Sequence, residues 1–207
     1  WELEAAITCK TAAVAYLVSP FTSRTALSLD EVVEIAHTRE IPVIVDAASR
    51  LPPRENLRKF ISQGADMVIF SGGKAIRGPQ GTGILCGRAP LIEAAAKNGS
   101  PNRFIGRSMK VAKEEIIGLL AALRTFVEED EETETRTFQQ MCQKAIDALI
   151  EIPDITLSIE HDIHDYHVPT AVISFKNTWS GPSRDQVLDA MATGARPIYL
   201  SGLGRPH

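Results

Sequence analysis

The chain has 207 residues, 44% of them hydrophobic and 23% charged, with a net charge of −4. These values are ordinary for a soluble globular protein of one large domain or one and a half, and the negative balance argues against a strong nucleic-acid or membrane surface. No apolar run reaches the roughly 20 residues that a membrane span needs, and Cys9, Cys86 and Cys142 are scattered without a CxxC spacing or a disulfide framework, which points to a reducing cytoplasm.

Residues 11–18 (TAAVAYLV) form a short apolar run that predicts a buried strand, with a loop over 19–24 at its C-terminal end. Ser28 and Glu31 have capping-box spacing, and Leu29, Val32, Val33 and Ala36 then make one helical face. Residues 42–45 predict the next strand, 46–55 a loop broken by Pro52 and Pro53, and 56–63 a short helix stopped at Gly64. Residues 66–70 predict a third strand and 82–86 a fourth. This alternation predicts a mostly parallel α/β sheet with right-handed crossovers, in which ligands sit beyond the carboxyl ends of the strands. Ser19, Asp46 and Ser71 all fall there.

Residues 90–98 predict a helix, and 111–127 a longer one with Ile116, Leu119, Leu120 and Leu123 at helical spacing. The acidic run over 128–134 reads as a solvated helix start. Phe138, Met141, Cys142, Ala145 and Leu149 make another amphipathic face. Strands over 155–160 and 168–175, a helix over 183–191 and a short strand over 197–200 complete a small α+β domain. The expected division is therefore residues 1–127, part of a large domain, and 128–207, a small one. A start at Trp1 and an end on 202–207 without evident structure suggest a piece of a longer protein.

Lys74 carries the most chemistry. An apolar strand runs into Ser71-Gly72-Gly73, presents this lysine, and enters a second glycine-rich turn through Gly78, Gly81 and Gly83. Upstream, the strand over 42–45 ends on the carboxylate of Asp46. An amine and a carboxylate at neighbouring strand ends are what pyridoxal 5'-phosphate requires: the lysine forms a Schiff base and the carboxylate keeps the pyridine nitrogen protonated. Burial at the strand end and nearby cations would make the lysine a better nucleophile by lowering its pKa. Ser71 offers a hydroxyl to a phosphate, and the glycine backbone, Gly73 included, can approach an anion closely. Ser49 lies within reach of the cofactor's phenolic oxygen. Arg77 offers a fork for a substrate carboxylate or phosphate. A phosphate-binding P-loop fails on spacing, because Val68 stands where the first glycine belongs and Ala75 replaces the required Ser or Thr. His161, His164 and His167 match no zinc spacing and read as a solvated turn between strands.

Three stretches carry a family resemblance: 45–53 (VDAASRLPP), 66–87 around SGGK and GPQ, and 105–115 (IGRSMKVAKEE). They resemble fold-type I pyridoxal-phosphate enzymes, within them the selenocysteine synthase-like group, which holds L-seryl-tRNA(Sec) selenium transferase and D-glucosaminate-6-phosphate ammonia-lyase relatives. Ser108 and Ala112 depart from the group's GRPMKVGKE segment. The resemblance implies Lys74 as the Schiff-base lysine, Asp46 as the partner of the pyridine nitrogen, Ser71 as a phosphate contact and a homodimer or larger homo-oligomer with sites at subunit interfaces, which Arg107 and Lys110 would face. It also implies that an N-terminal part supplying a phosphate loop and a ring-stacking side chain lies outside this chain.

The expected function is an enzyme, a pyridoxal-phosphate-dependent lyase acting at the α- and β-carbons of an amino acid or amino sugar acid. Selenium transfer to seryl-tRNA is the alternative, disfavoured by the negative charge. A non-catalytic relative that keeps the fold is the second alternative.

Overall fold

A computed structural model describes residues 2–19, 26–162 and 166–201. The predicted loop residues 20–24, His164 and the tail 202–207 lie outside them. A short helix not expected from sequence, α1 (Glu2–Ala6), precedes β1 (Val14–Leu17). The capping box then forms as expected: the Glu31 amide donates to Ser28 Oγ at 3.3 Å and the Ser28 amide to Glu31 Oε2 at 2.8 Å, which starts α2 (Leu29–His37). Leu29, Val32, Val33 and Ala36 are all buried, so the predicted face is the one that packs. β2 (Val43–Asp46) and α3 (Asn56–Ser62) follow. Gly64, at φ 97°, turns the chain out of α3 under Val33, whose Cγ1 would lie 2.8 Å from any Cβ placed there. Only glycine satisfies both the backbone and the packing.

β3 (Met67–Ser71) pairs with β2 in parallel, as β2 does with β1, while β4 (Gly83–Gly87) folds back antiparallel to β3. The sheet order is β1-β2-β3-β4. The two faces of this sheet differ. Val43, Val45, Val68 and Phe70 are buried with residues of α2, with Phe60 of α3, and with Phe126 of α5 (Lys113–Glu128). On the other face, Leu17, Asp46, Ile69 and Leu85 occupy one cross-strand row, and all four are exposed.

After β4 come α4 (Ala89–Asn98) and a 3-10 turn, Arg107–Met109, before α5. The core-facing side of α5 differs from the expected one: Leu119, Ala122, Leu123 and Phe126 pack inward, while Ile116 and Leu120 are exposed. α6 (Glu131–Leu149) lies against a two-stranded antiparallel sheet of β5 (Ile155–Asp162) and β6 (Tyr166–Phe175). Its half-buried side is Phe138, Cys142, Ile146 and Leu149. Met141 and Ala145, expected on that side, are exposed. α7 (Arg184–Thr193) starts at its Ser183 cap. The strand expected over 197–200 does not form: Ile198 spends its amide on Met191 O at 2.9 Å, and among the described residues no strand pairs with this segment. Among the described residues, no helix is long and apolar enough to cross a membrane, and no cluster of metal-ligating side chains occurs.

Asp66, at the amino end of β3, ties the bottom of the sheet together. Its buried carboxylate accepts from the Val43 amide at 2.7 Å, from Arg88 Nη1 at 2.7 Å and pairs with His37 Nε2 at 2.9 Å. Burial alone would raise its pKa, but the hydrogen bonds from Arg88, His37 and Val43 and the His37 charge outweigh that and hold it below the usual carboxylate value. Asp66→Ala is expected to cost about 2 kcal/mol at pH 7, chiefly through the orphaned Val43 amide. A depressed carboxyl pKa stabilises the fold above its unfolded-state pKa and loses that contribution as pH falls through the folded-state value. The variant should therefore differ most from wild type at neutral pH in urea titrations run across pH. The gap should narrow, without closing, as pH drops below about 4, because the orphaned Val43 amide costs the variant at any pH.

Candidate active site

The sequence-predicted residues gather at the carboxyl ends of β2 and β3. Asp46 ends β2, between Leu17 of β1 and Ile69 of β3 in register. The Val18 amide donates to Asp46 O at 3.0 Å and the Ala47 amide to Ile69 O at 2.9 Å, so backbone pairing persists to the strand end. The carboxylate is exposed on the open face. Its Oδ1 accepts the Ala48 amide at 3.0 Å, which orients the group and leaves acceptor capacity for a ligand. Ser49, three residues on, is also exposed.

Ser71 closes β3 opposite Gly83 of β4, on the same face as Ile69 because side chains alternate along a strand. The loop from 72 to 82 is braced by its own backbone. The Gly72 amide donates to Thr82 O at 3.0 Å, the Gly78 amide to Gly72 O at 2.8 Å and the Arg77 amide to Lys74 O at 2.8 Å. Gln80 Nε2 reaches Gly73 O at 2.9 Å. A Cβ at Gly72 would stand 2.1 Å from Thr82 Oγ1 and 2.8 Å from Leu119 Cδ1, so this glycine is required by close packing, where anion approach was the expected reason. Ile76 is the buried anchor of the turn. Lys74 stands at its outer edge, exposed, not buried as the strand-end reading expected.

Arg77 is placed differently from its expected role as a substrate fork. Its backbone is left-handed, at φ 62°, and its guanidinium binds Glu134 Oε1 through Nη1 at 3.3 Å and Glu129 Oε2 through Nη2. Arg107 lies exposed in the 3-10 turn, in a stretch that also exposes Phe104, Ile105 and Met109. His161 is exposed at the end of β5.

Two arginines escaped the sequence reading. Arg50 is buried four residues after Asp46, and burial pushes its pKa down. Arg54 Nε donates to Phe126 O, its guanidinium stacks 4.7 Å over the Phe126 ring, and its Nη2 reaches Glu134 Oε2 at 3.0 Å. The local signal was present as an arginine after a Pro-Pro step, but its partners lie more than 70 residues on.

The family profile for L-seryl-tRNA selenium transferase matches residues 2–154. The chain belongs to this family. Over 163 residues this family member is 37% identical to the D-glucosaminate-6-phosphate ammonia lyase of Salmonella typhimurium, covering 78% of this chain and 41% of that protein. It is 32% identical over 197 residues to a 5'-C-glycyluridine monooxygenase-decarboxylase of a Streptomyces species, covering 94% and 47%. The solved structure of a D-glucosaminate-6-phosphate ammonia-lyase superposes with a TM-score of 0.71 at 30% identity, over 98% of this chain and 52% of that one. The chain thus spans about half the length of the relatives it matches. The selenium transferase family and its ammonia-lyase relatives depend on pyridoxal phosphate. The residues present suit that group: a carboxylate with spare acceptor capacity ends β2, a hydroxyl ends adjacent β3, and a lysine stands three residues beyond on a braced turn.

Proposed function

We propose that the protein is a pyridoxal-phosphate-dependent lyase that eliminates ammonia from an amino acid or amino sugar acid. The single observation that carries this reading is that Asp46 ends β2 exposed on the open sheet face while Lys74 follows, three residues past its end, the adjacent parallel strand β3. The 37% identity to an ammonia lyase supports the choice of reaction. When bound, the cofactor supplies the electron sink that lets a bond at the substrate α-carbon break.

This chain's residues would act around it as follows. Asp46 would pair with the ring nitrogen and keep its proton in place. Lys74 would hold the cofactor covalently and would serve as the base at the substrate α-carbon. Ser71 and the Gly73 backbone would hold the phosphate, and Ser49 the phenolic oxygen. Arg107 remains a candidate for the substrate carboxylate. Arg77 could join it only by releasing Glu129 and Glu134.

Exposed Leu17, Ile69 and Leu85 flank Asp46 across the sheet, and covering what remains exposed of each is worth roughly 1 kcal/mol. We propose that the remaining half of the protein or a second subunit covers them and completes the pocket. The apolar surroundings of Arg107 support a homo-oligomer of the same kind. The three free thiols fit a cytoplasmic location.

Selenium transfer to seryl-tRNA is the second reading, favoured by the family match over residues 2–154. Substrate assays on the full-length enzyme separate the outcomes. Release of ammonia and a keto acid from phosphorylated and free amino sugar acids is expected. Selenium incorporation into seryl-tRNA, or carbon dioxide without ammonia, would replace the lyase reading.

A further inference from the structure

The acidic segment after α5 binds both loops of the candidate site. Glu129 Oε2 accepts from Arg77 Nη2 and, at 3.5 Å, from Arg54 Nη2. Glu134 accepts from Arg54 Nη2 at 3.0 Å through Oε2 and from Arg77 Nη1 at 3.3 Å through Oε1. Two carboxylates are thus shared between two arginines. Glu131 adds a third, accepting the Arg54 amide at 3.0 Å and lying 3.3 Å from Arg54 Nη1. Arg54 belongs to the loop that follows Asp46, and Arg77 closes the turn that presents Lys74. Glu131 and Glu134 stand in the first turn of α6, where a helix N-terminus favours negative charge, and Glu129 caps the end of α5 just before it.

Exposed ion pairs between long side chains hold little. This set differs in two respects. The Arg54 side chain is only 13% exposed and is stacked on buried Phe126. Arg77 is a non-glycine residue in the left-handed region, a conformation that its surroundings must hold. Its amide makes the bond to Lys74 O that closes the turn.

We infer that Glu129 and Glu134 form an ionic latch that fixes the Lys74 turn against the Asp46 loop. Arg77 and Arg54 are accordingly positioning residues, and α6, which carries the small sheet, is coupled to the lysine through them. A shift of α6 relative to α5 strains the Lys74 turn before it reaches any strand. The functional meaning of the latch rests on the reading of Lys74 as the cofactor lysine, whereas its existence does not.

The test is amide hydrogen exchange on the full-length protein, with and without bound cofactor, comparing wild type with Glu134→Gln, Arg77→Gln and the double variant. Glu134 lies 60 residues from Lys74 in sequence, so its variant leaves the turn's own residues intact. Either single change should speed exchange over residues 72–82 by about fivefold or more, as expected for local opening, while strand residues 43–46 stay unchanged. The double variant should exchange no faster than the singles, as for one shared interaction. In steady-state assays, kcat should fall by about tenfold with KM within twofold, since a misplaced lysine costs chemistry and not binding. Unchanged exchange over 72–82 overturns the latch, as does equal acceleration at 43–46 or additivity in the double variant. Faster exchange with unchanged kcat overturns the positioning role. Because the exchange readout is the same without cofactor, failure of the cofactor reading would leave it standing.

Discussion

Lys74→Ala in the full-length enzyme is expected to lower kcat by at least about 10³-fold, the upper part of the range for losing a positioned proton-transfer group. On the proposed reading, the same change also removes the covalent hold on the cofactor. The loss is therefore about 4 kcal/mol or more of transition-state stabilisation. Stability should be nearly unaffected. Lys74 is exposed at the edge of its turn, and the turn is closed by backbone bonds from the Gly72, Arg77 and Gly78 amides and anchored by buried Ile76. A variant with wild-type unfolding and no turnover matches this placement. A variant that keeps more than a tenth of its activity does not. Lys74→Arg should fail equally, because a guanidinium stays protonated at any working pH and cannot act as nucleophile or base.

Asp46→Asn should be the next most severe change. Removing an opposite charge at this range lowers the pKa of the partnered group by roughly 1–3 units, so the protonated fraction of the ring nitrogen at neutral pH should fall by up to roughly 10- to 1,000-fold, and kcat with it. Asp46→Glu should recover part of the loss, since the charge returns at a displaced position. The measurement is kcat against pH for wild type and both variants: the deficit of Asp46→Asn should shrink as acid restores the proton from solvent. A deficit constant across pH would assign Asp46 to a purely structural role. Its place argues otherwise, because among the described residues one backbone amide donates to its carboxylate and acceptor capacity remains.

The positions of both residues, at or just past the ends of neighbouring strands, were legible in the sequence. An apolar strand that ends on a carboxylate, and another that ends in Ser-Gly-Gly-Lys, carry their meaning within a few residues, and so do the Ser28–Glu31 capping box and the Gly64 stop. Partners far along the chain were not legible. The acidic run over 128–134 reads as a solvated helix start because its charges have no counter-ions nearby in sequence. In the fold, Arg54 and Arg77 come to it from more than 50 residues upstream. The same limit hid the core side of α5: Ile116 and Leu120 share its helical period, but Leu119 and Leu123 are the ones that pack against the core, Leu119 beside Gly72 and Gly78 of the turn after β3. The asymmetry of the sheet was equally hidden, since strands destined for burial on both faces and strands covered on one face are both rich in Val and Ile. A short apolar run such as 197–200 becomes a strand only where a neighbour offers a ladder.

The account stands most directly on one measurement. Full-length protein incubated with pyridoxal phosphate and reduced with borohydride is digested, and the cofactor-bearing peptide is sequenced by mass spectrometry. The account predicts a single reduced pyridoxyl adduct on Lys74 of the 71–82 segment, formed in step with the loss of activity. An adduct on another lysine, or none under conditions where the protein is active, would contradict it.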